Sequence, residues 1–175
     1  MRTPPMRASL TVALCGLASA PALAADVGVK LQIPQLDVAE YHRPYVAVWI
    51  EREDQSVAAN LAVWYELDKR NGEGTKWLKD LRQWWRRAGR ELQMPMDGVS
   101  GATRPVGEQT LSFVSGKGPL PELAPGHYQL VVEAARETGG RELVKIPFQW
   151  PVSKAQQLQA QGSSELGKVA LDIKP

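Results

Sequence analysis

The period of the apolar positions changes along the chain. Over residues 27–33 (VGVKLQI) apolar and other residues alternate, which is the period of a strand with one buried face. Residues 45–50 (YVAVWI) and 61–65 (LAVWY) are near-continuous apolar runs rich in β-branched and aromatic side chains. Such runs predict central strands covered on both faces. Residues 110–114, 128–134, 143–150 and 168–173 read as further strands, with a turn at Thr138-Gly139-Gly140 between two of them. About seven strands with turn signals between them predict a mainly β fold, an immunoglobulin-like β-sandwich. Pro125-Gly126-His127-Tyr128 places a tyrosine at a strand entrance, where its phenol can bond the backbone of the preceding turn as in a tyrosine corner.

One segment follows the other period. Residues 76–90 (KWLKDLRQWWRRAGR) hold no Gly or Pro before Gly89, and Trp77, Leu81, Trp84 and Ala88 recur at helical spacing. The pattern predicts one amphipathic helix of about four turns, inserted after the third strand and stopped by Gly89. Residues 153–164, rich in Gln and Ser, read as a loop or frayed helix before the last strand.

The first 25 residues have a different character. Arg2 and Arg7 precede an uncharged run over residues 8–20, and Ala22 and Ala24 fit a small-x-small cleavage pattern. The run is short of the roughly 20 residues a membrane span needs. Residues 1–25 are therefore expected to be a cleavable signal peptide, and residues 26–175 a single domain delivered to the periplasm. The only cysteine, Cys15, falls inside that leader, so the domain has no disulfide and no thiolate chemistry. The 21 basic and 19 acidic residues include Arg2 and Arg7. Beyond residue 25 the two signs balance, which gives no general attraction to nucleic acid, and no nucleic-acid partner is expected.

Chemistry is concentrated between the helix and the fourth strand. There the chain reads Met96-Asp97-Gly98-Val99-Ser100-Gly101-Ala102-Thr103-Arg104-Pro105. Gly98 and Gly101 permit positive φ and close approach by another molecule. Pro105 biases Arg104 away from helix, so Thr103 is expected on open, extended backbone where a modifying enzyme can reach its hydroxyl. The plain alternative is an Asp-Gly turn joining a helix to a strand.

Asp97-Gly98-Val99-Ser100-Gly101-Ala102-Thr103 resembles the flavinylation motif of extracytoplasmic FMN-binding domains, such as those of the sodium-pumping NADH:quinone reductase. Asp97, Gly98, Ser100, Gly101, Ala102 and Thr103 each meet a constrained position of that pattern. The wider chain resembles the DUF2271 family of periplasmic proteins. The landmarks are Pro44 to Ile50, Leu61 to Tyr65, Lys76 to Leu81 with Trp84-Trp85, the loop at 97–104, and Pro125 to Tyr128 through Glu137. The resemblance implies a protein that is modified rather than one that catalyses. A separate Mg²⁺-dependent flavin transferase would bring FAD to the loop, the Thr103 hydroxyl would attack the pyrophosphate, and AMP would leave. FMN would then be the covalent cofactor, held on Thr103 by a phosphoester, with Asp97 and Ser100 read by the transferase. A PepSY-type membrane redox protein is the partner such a carrier would serve.

Other residues have two readings. Trp84 or Trp85 can stack on an isoalloxazine ring, or the tryptophans Trp77, Trp84 and Trp85 can anchor the helix on the sheet. Arg104 is a candidate phosphate contact. Lys76, Lys79, Arg82, Arg86, Arg87 and Arg90 make the helix basic, for pairing with the FMN phosphate, for docking on an acidic partner, for nearness to anionic lipid, or simply as a solvated face. His42 and His127 lie far apart and suggest no metal site. No Gly-x-Ser-x-Gly elbow or P-loop is present, and no catalytic residues are assigned. The rival to an electron-transfer carrier is a binding or structural sandwich that presents the basic helix to a partner. The two differ in what Thr103 needs: an accessible hydroxyl and room beside it for a flavin.

Overall fold

The computed structural model describes residues 24–175, so most of the expected signal peptide, residues 1–23, lies outside the described residues. Among the described residues nine strands form two sheets, two more strands than expected. The chain runs β1 (Asp26–Ile33), β2 (Tyr45–Arg52) and β3 (Val57–Tyr65), then a helical segment. It continues through β4 (Ser100–Ala102), β5 (Gly107–Val114), β6 (Gly126–Ala135), β7 (Arg141–Trp150), β8 (Gln156–Gln161) and β9 (Lys168–Lys174). One sheet has the order β5-β1-β9-β8 and the other β4-β3-β2-β6-β7. Every pairing is antiparallel except β3 with β4.

The near-continuous apolar runs follow from two separate cores. Val46, Val48 and Ile50 of β2 point between the sheets, where they meet Val29, Leu31, Leu130, Val132 and Leu171. Their neighbours Tyr45, Ala47 and Trp49 point to the outer face of the five-stranded sheet, under Leu78, Leu81, Trp84 and Val99. Each of the large side chains buried there contributes about 1.5–3 kcal/mol by leaving water. Tyr128 donates its phenolic hydrogen to the Ala124 carbonyl at 2.8 Å, the expected tie across the turn before β6.

The single four-turn helix is not what forms. The chain makes 3₁₀ turns over Arg70–Asp80, interrupted at Asn71 and Gly72, both with positive φ. It breaks at Leu81 (φ −74°, ψ 69°) and then forms a short α-helix, α1 (Arg82–Arg87). The break comes from elsewhere in the chain. Glu133, fully buried on β6, accepts the backbone N–H groups of Gln83 at 3.0 Å and Trp84 at 2.8 Å. Those are donors that the start of a helix leaves without internal partners. Leu78, Leu81 and Trp84, the buried residues, are spaced by three, the period of a 3₁₀ turn, and Trp77 falls off the buried stripe. α1 ends at Arg87, with Ala88 as its C-cap, and not at Gly89, which opens a further 3₁₀ turn (Gly89–Glu91) packed against Trp84: a Cβ there would sit 2.5 Å from the ring.

The expected loop over residues 153–164 contains β8 instead. Gln156, Gln157, Gln159 and Gln161 keep this edge strand polar, while Leu158 and Ala160 lean on the inter-sheet core. The other unexpected strand, β4, lies within the loop at 97–104 and is described next.

Candidate functional site

The loop is built on a tight turn. Ser100 donates its backbone N–H to the Met96 carbonyl at 2.9 Å and accepts the Met96 N–H on Oγ at 2.8 Å. Gly98 has φ 68°, a conformation costly for any residue with a Cβ. Val99 is buried in the outer core, and its carbonyl accepts Val63 N–H at 2.9 Å. From there the chain extends as β4, parallel to β3, with Ser100 beside Val63, Gly101 beside Trp64 and Ala102 beside Tyr65. Gly101 lies so near the Trp64 indole that a Cβ would stand 3.2 Å from Cδ1. The backbone N–H of Thr103 continues the pairing to the Tyr65 carbonyl at 3.1 Å.

Thr103 is thus held at the edge of the five-stranded sheet, half-buried, with Asp97, Gly98, Ala102 and Arg104 exposed around it. Arg104, next to Thr103, lies exposed against the Trp64 indole. Its guanidinium carbon stands 5.2 Å from the centroid of the Trp64 ring, a cation–π contact.

Beside Thr103 opens a cavity of about 510 Å³. The antiparallel register explains it: Tyr45 pairs with Ala135 and Val46 with Trp64, so the start of β2 and the ends of β3, β4 and β6 reach the same end of the sheet. Tyr41, Arg43, Trp77, Arg136 and Glu137 complete the wall. Its volume falls within the about 300–1,000 Å³ common to small-molecule sites.

Several groups on this wall are fixed. Tyr45 Oη donates within reach of the Gly74 carbonyl (3.1 Å) and Glu66 Oε2 (3.2 Å), and burial pushes its pKa well up. Arg136 holds Glu165 by two hydrogen bonds of 3.0 Å, with both side chains nearly covered. His42 stands between Glu40 (3.1 Å) and Glu137 (3.7 Å). Other groups are free: the Tyr41 hydroxyl is buried without a protein partner among the described residues, and burial also raises its pKa.

The tryptophans divide. Trp84 is fully buried, with its indole N–H on Asn60 Oδ1 at 2.9 Å, so it anchors α1 and is closed to a flavin. Trp85 lies in a shallow depression with Lys79, Arg82, Arg86 and Arg141 and does not line the cavity. Trp77, 45% exposed, does line it. The structure therefore brings Thr103 and Trp77 to one site and leaves Trp84, Trp85 and Arg104 outside it. Sequence reasoning missed Tyr41, Arg43 and Arg136 as wall residues. Arg136 lies at the end of a strand that the apolar pattern marks, but nothing local to Tyr41 signals its place.

The family described as predicted periplasmic protein, DUF2271, matches the chain over residues 26–168. Neither the curated proteins nor the solved structures gave a match to the chain.

Proposed function

The chain belongs to the DUF2271 family of predicted periplasmic proteins, and on that premise we propose that it carries FMN covalently on Thr103 and transfers electrons in the periplasm. The observation that carries the reading is the position of Thr103, on extended backbone at a sheet edge and on the wall of a cavity of about 510 Å³. An accessible hydroxyl and room for a flavin are the two things a carrier needs.

The loading reaction makes this chain a substrate. The Thr103 hydroxyl oxygen attacks the FMN-side phosphorus of FAD inside a flavin transferase. A new P–O ester bond forms, the pyrophosphate P–O bond breaks, AMP leaves, and the hydroxyl proton is released. The positive φ at Gly98 and the absence of side chains at Gly98 and Gly101 let the loop enter such a site, with Asp97 exposed for recognition. Ser100 Oγ accepts the Met96 N–H and so shapes the loop, while its O–H proton is left to donate to the transferase. A tethered flavin cannot diffuse away from an exported protein, and it supplies one- or two-electron chemistry that this chain positions. A PepSY-type membrane redox protein is the partner this reading calls for. The two packed sheets with the Tyr128 corner support an immunoglobulin-like reading of the sandwich.

A second reading has one observation in its favour. Lys79, Arg82, Arg86, Arg87 and Arg90 are exposed and form no salt bridge among the described residues. A sandwich that only docks an acidic partner would use that surface and leave Thr103 unmodified.

The deciding experiment is the intact mass of the exported protein co-expressed with a flavin transferase, beside Thr103→Val. The carrier reading expects a gain of one FMN less one water, absent in the variant. An unmodified mass, when a known flavinylated domain is loaded in the same cells, rejects it and leaves the docking module.

A further inference from the structure

We infer that the cavity beside Thr103 seats the isoalloxazine ring, with Trp77 as its stacking face and the Tyr41 hydroxyl as a hydrogen-bond donor to it. The inference rests on the FMN reading and adds to it the groups that hold the ring. A tether alone fixes only the phosphate; what happens to the ring depends on the wall.

Three observations converge on a planar, partly polar ligand. Trp77 and Val38 are the only large apolar side chains left exposed among the described residues, and Trp77 lies on this wall. Lys79 Nζ stands 5.6 Å from the Trp77 ring centroid and steadies the indole by a cation–π contact. An exposed tryptophan held in this way offers a flat surface to an aromatic ligand.

The second observation is Tyr41. Its hydroxyl is out of solvent and has no protein acceptor among the described residues. Buried donors without partners cost free energy, and a ligand acceptor relieves that cost. Burial raises the Tyr41 pKa, so the hydroxyl keeps its proton and remains a donor. The isoalloxazine ring has carbonyl acceptors along one edge and an apolar, methylated ring at the other.

The third is charge. Arg136 is committed to Glu165, but Arg43 is exposed and forms no salt bridge among the described residues. A cation on the wall favours a ring that gains negative charge on reduction. Glu66, Asp80 and Glu137 also line the cavity, so the wall is mixed rather than uniformly basic.

The test uses the Thr103→Val protein, which cannot be loaded, with riboflavin as the probe. Riboflavin has the ring but no phosphate, so its binding reads the seat alone. The expected result is saturable quenching of flavin fluorescence, weakened about fivefold by Tyr41→Phe and about two- to tenfold by Trp77→Ala. Tyr41→Phe removes a hydroxyl without a protein partner, so its melting temperature should not fall, which keeps a loss of binding from being read as misfolding. A second readout is the flavin emission of loaded wild-type protein before and after unfolding. Quenching that is released on unfolding, and diminished in Tyr41→Phe and Trp77→Ala, supports the seat. Emission equal to that of free FMN in loaded protein, with no riboflavin binding to Thr103→Val, overturns it while the tether stands. Riboflavin binding with Thr103 never modified keeps the seat and removes the tether.

Discussion

The carboxylate of Glu133 on β6 accepts the backbone N–H of Trp84 at 2.8 Å, across a separation of 49 residues. Its other oxygen takes the Gln83 N–H at 3.0 Å and a 2.5 Å hydrogen bond from Arg141. One buried acid therefore sets where α1 begins and fastens it to the sheet. A buried charge is tolerable only when partnered in this way.

Removing that acid should be costly. Glu133→Ala is expected to lower stability by about 3–5 kcal/mol, because Arg141 and two backbone donors lose their partner together. Urea unfolding measures the loss, and near-ultraviolet circular dichroism should report loosening around Trp84. A loss below about 1 kcal/mol would refute the role given to Glu133.

A second carboxylate gives a pH dependence. Glu142 on β7 accepts five hydrogen bonds, from both the N–H and hydroxyl of Ser163 and of Ser164 and from the Leu166 N–H. Burial pushes its carboxyl up, but the bonds from Ser163, Leu166 and Ser164 outweigh that and hold the pKa down at about 2, from an ordinary 4.5. Because the folded value is the lower one, the stabilisation is present above pH 4.5 and is lost as pH falls towards 2. Glu142→Gln should flatten the stability curve in that window and leave its shape at neutral pH unchanged. Denaturant midpoints at a series of pH values would show an undiminished acid slope if this assignment is wrong.

Gly89 supplies a packing test. The Trp84 ring is buried and cannot retreat from a new Cβ 2.5 Å away. Gly89→Ala is expected to cost about 1–3 kcal/mol through overpacking, although alanine is the better helix former. A neutral or raised melting temperature would mean that the indole can shift.

Tyr128→Phe isolates the corner. It deletes the 2.8 Å bond to the Ala124 carbonyl and leaves the ring on Phe148, with centroids 5.8 Å apart. The expected loss is about 1 kcal/mol in chemical unfolding, and an unchanged midpoint would show that solvent replaces the bond without cost.

What could be read from the sequence depended on how local the cause was. β2 and β3 were legible because alternate residues fill two different cores, so their runs stay apolar throughout. The turn leading to Thr103 was legible because the residues that shape it, Met96 to Ser100, lie together in the sequence. β8 was hidden because its four glutamines carry no strand signal, and the pairing with β9 alone makes it a strand. β4 was hidden because Ser-Gly-Ala has little preference for any structure. The break at Leu81 could not be read from residues 76–90, since the acid responsible sits on β6. The same break explains the misplaced tryptophan: a continuous α-helix puts Trp77 on the stripe with Trp84, whereas turns of three residues put Leu78 there instead.

The loop at 97–104 is a single stretch of chain, whereas the cavity wall is gathered from residues near 41–45, 66, 77–80 and 135–138. The two are therefore unequal under transplantation. Grafted onto a foreign scaffold, the short stretch would bring the Thr103 hydroxyl but none of the surroundings. If Thr103 carries FMN as proposed, two hosts given the same insert would hold the same chromophore in different settings. Comparing their potentials with that of this protein, loaded in the same way, would then measure how far the wall, and not the attachment, tunes the redox couple.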